Sequence, residues 1–154
     1  MLCSAYGFKE MIKLNKVVII DSGLSERFLN ENKNKIKKYK DFCKTENKFD
    51  IAGHGTAVAG IINRINKNVD LFVFKIFDDS LVQKEQVLIL VLKYILESNI
   101  SDAIIHMSFG INYYNKQIYE LLKEIYSNNN LIVSAYDNMG CISYPAVFDF
   151  TIGV

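Results

Sequence analysis

The sequence predicts an α/β fold, a mostly parallel sheet with helices on both faces. Three observations carry that prediction. Val17-Val18-Ile19-Ile20 is an unbroken β-branched run that stops at Asp21-Ser22-Gly23, which is how a strand buried on both faces and ending in a turn looks. Short apolar runs then alternate along the chain with stretches whose apolar residues recur at helical spacing, and such alternation implies parallel strands joined by right-handed helical crossovers. A single proline, Pro145, and the lack of repeats or a low-complexity linker leave nothing to divide 154 residues into two domains.

The elements follow in order. After the first strand, Lys33, Lys35, Lys37, Lys38 and Lys40 form a local basic run that reads as a solvated loop or helix face. Gly53 to Gly60, G-H-G-T-A-V-A-G, continues into Ile61-Ile62 and reads as the buried start of a helix. Segment 69–77, V-D-L-F-V-F-K-I-F, is a second strand. From Gln83 to Ser98, Val87, Leu88, Leu90, Val91, Tyr94 and Ile95 recur at helical spacing, and a strand returns from Asp102 to Met107. A helix from Lys116 to Ser127 places Ile118, Leu121, Leu122 and Ile125 on one face. It precedes a strand from Leu131 to Ala135 and a last one near Phe150 to Val154.

Composition narrows the function classes. Half the residues are hydrophobic and 23% are charged, a globular balance, and a net charge of +1 gives no global bias toward nucleic acid or an anionic membrane. Cys3, Cys43 and Cys141 are odd in number and lack C-x-x-C spacing, so neither a disulfide framework nor a zinc site is indicated. The first residues lack a basic region followed by an apolar one, and no apolar run is long enough to span a bilayer; the expectation is a cytoplasmic protein with neither membrane nor nucleic-acid partners.

In open parallel sheets, reactive groups gather at the carboxyl ends of strands. Asp21 closes the first strand, Ser108 and Gly110 follow the one ending at Met107, and Asn138 follows the Leu131 to Ala135 strand. His54, one of two histidines, needs a carboxylate to fix its tautomer if it is to act as a general base, and Asp21 is the obvious partner. On chemistry alone, a capping Asp and a helix-start His remain open.

Several separate segments resemble the N-terminal part of the subtilisin-like serine peptidase family, the subtilases. V-V-I-I-D-S-G-L at 17–24 resembles the family's catalytic-Asp motif, and G-H-G-T-A-V-A-G at 53–60 its catalytic-His motif. F-K-I-F-D-D-S, ending at Ser80, is similar to the strand and turn that follow, and I-I-H-M-S-F-G at 104–110 to the strand bearing the substrate-binding edge, with His106 where a small polar residue is usual. L-I-V-S-A-Y-D-N-M-G at 131–140 is similar to the apolar strand running into A-A-G-N-x-G, and Tyr144-Pro145-Ala146 and residues 150–154 extend the likeness. It covers residues 16 to 154, with 1–15 as a short N-terminal extension. The order Asp before His is that of subtilisins.

The resemblance implies roles. Asp21 and His54 are acid and base, Asn138 donates to the oxyanion, and Ser108, Phe109, Gly110, Ala135 and Asp137 line the substrate site. Asp137 stands where the family has glycine: an ionised carboxylate there opposes a developing oxyanion, or else favours a basic side chain before the scissile bond. A peptide or protein substrate is implied. Calcium is possible by analogy with relatives, although no ligand set is matched.

No serine of the chain sits in a G-T-S-M-A-like motif. The expectation is therefore a peptidase domain incomplete at its C-terminus and inactive alone, since removing the serine from a subtilisin triad costs on the order of a millionfold in turnover. A fragment, or one half of a split enzyme, is favoured over a catalytically dead pseudo-peptidase that binds peptides or proteins. A C-terminal complementing polypeptide or a homodimer is the expected partner, because a sheet cut off here leaves an edge and an apolar face. Competing chemistries fail: Asp21-Ser22-Gly23 lacks a second acid for Mg²⁺, no H-x-x-x-H surrounds His54, and neither G-x-G-x-x-G nor G-x-x-x-x-G-K is present.

Overall fold

The computed structural model describes residues 14–43, 46–78, 85–137 and 142–154. Within them, six strands are β1 Lys16–Asp21, β2 Ile36–Asp41, β3 Asp70–Lys75, β4 Ala103–Met107, β5 Leu131–Ser134 and β6 Thr151–Gly153. Four helices are α1 Glu26–Glu31, α2 His54–Ile65, α3 Glu85–Glu97 and α4 Lys116–Ser127. The strands form one sheet in the order β2-β3-β1-β4-β5-β6, and every pairing in it is parallel.

The β-branched run of β1 lies at the centre because it can be buried on both faces. Val18 and Ile20 join Phe74, Ile105 and the apolar stripes of α3 and α4, whereas Val17 and Ile19 join Leu71, Val73 and Ala59 of α2 on the opposite face. Strand alternation sorts neighbouring residues into two cores, and helices therefore cover both faces. The α4 stripe of Ile118, Leu122 and Ile125 is buried. Its start is capped by the Asn115 side chain, which accepts from the Ile118 N–H at 3.0 Å.

Two expectations are corrected. The lysine run is neither loop nor helix face; it is mostly β2, an edge strand, with only Lys33 and Lys35 in the preceding turn. Its Ile36 and Tyr39 pack on the second core, while Lys38 and Lys40 lay their ammonium groups 4.7 and 3.7 Å from the centre of the Tyr94 ring. An edge strand tolerates such charges, and they discourage pairing with another chain. The helix after His54 is not buried as a run: only Gly55 and Ala59 of α2 are buried, and Ile61 and Ile65 are exposed. The residues 1–13 of the expected N-terminal extension, Asn138, and residues 79–80 of the F-K-I-F-D-D-S match lie outside the described residues.

The chain leaves β1 toward β2 and β3 on one side and later crosses to β4 on the other. The carboxyl ends of β1 and β4 thus flank a topological switch point, where loops diverge and leave a crevice. Asp21 and Ser108 stand at those ends.

Candidate active site

Asp21 is the last residue of β1 and only 1% exposed. Its Oδ1 accepts from the Ser22 N–H at 2.7 Å and from the Ser22 hydroxyl at 3.2 Å. His54, the first residue of α2, turns its Nδ1 to the same carboxylate, 2.8 Å from Oδ1 and 3.0 Å from Oδ2. A carboxylate only accepts, so Nδ1 carries the proton. The other ring nitrogen is Nε2. Among the described residues nothing bonds it, and the side chain is 47% exposed.

The helix start that presents this ring is assembled from distant residues. Gly53 takes a left-handed φ of 79° that turns the chain into α2. The first-turn N–H groups need partners, and side chains outside the helix supply them: the Ser22 hydroxyl accepts from Gly55 N–H at 2.9 Å, and Asp50 Oδ2 from Thr56 N–H at 2.9 Å. Asp50 also takes the Thr56 hydroxyl at 2.6 Å and the Gly53 N–H at 2.8 Å. Burial pushes the Asp50 carboxyl up, but hydrogen bonds from the Thr56 hydroxyl and N–H, the Ser22 hydroxyl and the Gly53 N–H outweigh it and hold the carboxyl below its usual range.

Gly55 brings α2 into contact with the β1 turn. A Cβ on Gly55 would lie 2.4 Å from the Gly23 carbonyl oxygen and 3.2 Å from the Asp21 Cβ. Only glycine permits that approach. Beneath the same turn, the fully buried Lys75 at the end of β3 donates to the carbonyls of Ser22 and Phe77. Tyr39, pushed up to about 12 mainly by burial, keeps its proton and donates it to the Lys48 carbonyl at 2.5 Å.

His106 of β4 pairs in register with Ile19, two residues before Asp21 on the same face. Its Nδ1 lies 3.3 Å from the Ser108 hydroxyl. Burial holds its pKa below the usual histidine value; nearby His54 lowers it further, and the Asp21 carboxylate partly opposes both. The unfolded chain therefore binds a proton more readily than the folded one as pH falls through about 6.5, and stability is lost in that direction. Urea midpoints at about pH 7.5 and pH 5.5 should show a drop that His106→Asn reduces; equal drops in both proteins would contradict this.

The expected substrate-side residues come together in part. The Phe109 carbonyl accepts from the Ser134 hydroxyl at 3.1 Å, and the Phe109 ring packs edge-on against Phe77 at 5.1 Å between centroids. The Ser143 hydroxyl bonds the Ala135 carbonyl at 3.2 Å and fills the space beside Gly110. Phe109, Gly110 and Ala135 are thus tied together through Ser134 and Ser143, and Asp137 is exposed. Ser134 and Ser143 are buried and bonded to carbonyls.

Ser22, Asp50 and Lys75 were not legible as site residues. Each is polar and buried; Ser22 and Lys75 have partners 33 and 53 positions away, and Asp50 caps a helix start from a loop three to six residues before its partners. The one signal was Asp50 ahead of the G-H-G-T stretch, since Asp is a preferred helix cap.

No protein-family model matches the chain, and no curated protein does. Solved structures do. A psychrophilic protease superposes with a TM-score of 0.72 at 21% identity, covering 91% of this chain and 52% of that one. Sphericase gives 0.66 at 23%, covering 90% and 53%. The psychrophilic subtilisin-like protease Apa1 from the Antarctic psychrotroph Pseudoalteromonas sp. AS-11 gives 0.71 at 24%, covering 90% and 35%. The chain has the fold of subtilisin-like proteases and spans about half the length of the first two and about a third of Apa1.

Proposed function

We propose that this chain supplies the acid and base of a subtilisin-like serine endopeptidase whose nucleophile lies outside these 154 residues. The observation that carries the reading is the 2.8 Å contact from His54 Nδ1 to the buried Asp21, on a histidine whose side chain is otherwise half exposed. In this reading a serine hydroxyl gives its proton to Nε2 as its oxygen bonds the substrate carbonyl carbon. Asp21 stabilises the imidazolium, which then returns the proton to the leaving amine. Asn138 is the oxyanion donor in this scheme, and residues 108–110 hold the peptide.

Support for an external nucleophile comes from the buried serines near the Asp21 and β4 ends. Ser22, Ser134 and Ser143 are buried with their hydroxyls in hydrogen bonds, and the Ser108 hydroxyl, just past β4, lies 3.3 Å from His106 Nδ1 rather than beside His54 Nε2. Among the described residues no group of three or more His, Cys, Asp or Glu could hold a metal ion, and no step of this scheme runs through one. No helix among them is long and apolar enough to cross a membrane.

A complementing polypeptide, or a second copy, has a surface to meet. Among the described residues β6 pairs on one side only, with β5, and Ile152, Val154 and Tyr136 are exposed around it. The test is labelling with a fluorophosphonate. The 154-residue polypeptide alone should form no adduct. Co-expressed with a polypeptide carrying a Gly-Thr-Ser helix start, it should direct labelling to that serine, and His54→Ala should abolish it. An adduct on any serine of this chain would contradict the reading.

A further inference from the structure

We infer that Lys75 is a positioning residue for the Asp21–His54 pair, which rests on the reading of that pair as acid and base. Lys75 is 1% exposed, and among the described residues no carboxylate forms an ion pair with it. A buried ammonium is costly unless its donors are met. Here two of its three N–H groups go to backbone carbonyls, 2.7 Å to Phe77 and 3.3 Å to Ser22. The stem runs under Gly23, where a Cβ would lie 3.1 Å from the Lys75 Cδ.

Those contacts fall on the turn that orients the carboxylate. Asp21 and Lys75 are register partners in the β1–β3 pairing, and the Ile76 N–H bonds the Asp21 carbonyl at 2.9 Å. Holding the Ser22 carbonyl fixes the peptide plane between Ser22 and Gly23. The orientation of Ser22 follows, and with it two links: Ser22 N–H to Asp21 Oδ1, and Gly55 N–H to the Ser22 hydroxyl. One ammonium thus secures both the acid and the helix start that carries the base. An apolar side chain of the same length fills the space but leaves two buried carbonyls without a donor, and the turn relaxes toward other partners.

The test reads the His54 ring. Nitrogen-15 NMR separates the Nδ1–H tautomer, which the Asp21 contact selects, from the Nε2–H form. Lys75→Met should keep native far-ultraviolet circular dichroism but convert a substantial fraction of His54 to Nε2–H. A folded Lys75→Met with the tautomer ratio of the parent would overturn the inference alone. A parent chain already in the Nε2–H form would overturn the acid–base reading and, with it, this role. If Lys75→Met does not fold, the parent's lysine Nζ resonances decide: one ammonium should exchange protons far more slowly than surface lysines, and its exchanging as fast as they do would overturn the inference.

Discussion

Gly55→Ala should destabilise the protein by about 3 kcal/mol, whereas Gly60→Ala, one turn and a half further along α2, should stabilise it by about 0.5–1 kcal/mol. The same substitution in the same helix changes sign because the two glycines meet different surroundings. A Cβ on Gly60 meets nothing within 4 Å, so the gain in helix propensity stands. A Cβ on Gly55 meets the Gly23 carbonyl oxygen at 2.4 Å and the Gly23 nitrogen at 3.0 Å, and both are backbone. A rotamer change cannot relieve that contact. The helix start must move off the turn, stretching the 2.9 Å bond from Gly55 N–H to Ser22 and the His54–Asp21 contact with it. Urea unfolding of the two variants checks the pair, and equal effects would contradict the close approach.

Asp21→Asn should leave the fold intact and lower turnover of the assembled enzyme by about ten thousandfold. The direction follows from the hydrogen bonds already in place. Oδ1 receives two donors from Ser22, so the amide oxygen of an asparagine takes that position and its NH₂ takes the Oδ2 position, 3.0 Å from His54 Nδ1. That NH₂ opposes a proton on Nδ1, and the tautomer with the ring proton on Nε2 is favoured. A base protonated at that nitrogen takes nothing from a nucleophile. Peptide hydrolysis by the complemented protein reads the loss, and a fall of less than about tenfold would show that Asp21 does not set the tautomer.

Much of this was legible from local pattern. The β-branched run of β1 marked the centre of the sheet because a strand covered on both faces has no polar side, and α4 matched its expected span because its apolar stripe and Asn115 cap agree. β2 escaped notice because an edge strand needs only one packed face: Ile36 and Tyr39 satisfy it, while the lysines between them imitate a solvated segment. The proposed acid and base, Asp21 and His54, were visible through the motif and its order along the chain. Their support was not. Ser22, Asp50 and Lys75 act by burying polar atoms against backbone groups brought close by the fold, and such pairings leave no periodic trace in sequence. The exposed Asp137, expected to bear on either the oxyanion or the specificity pocket, remains a proposal tied to Asn138, which lies outside the described residues.

The central claim is that His54 is held as a base with its proton on the Asp21 side. Nitrogen-15 NMR of the His54 ring in the 154-residue chain near neutral pH tests this most directly. The account predicts a protonated Nδ1 and a bare Nε2. A ring protonated mainly at Nε2, as in free histidine, would contradict it.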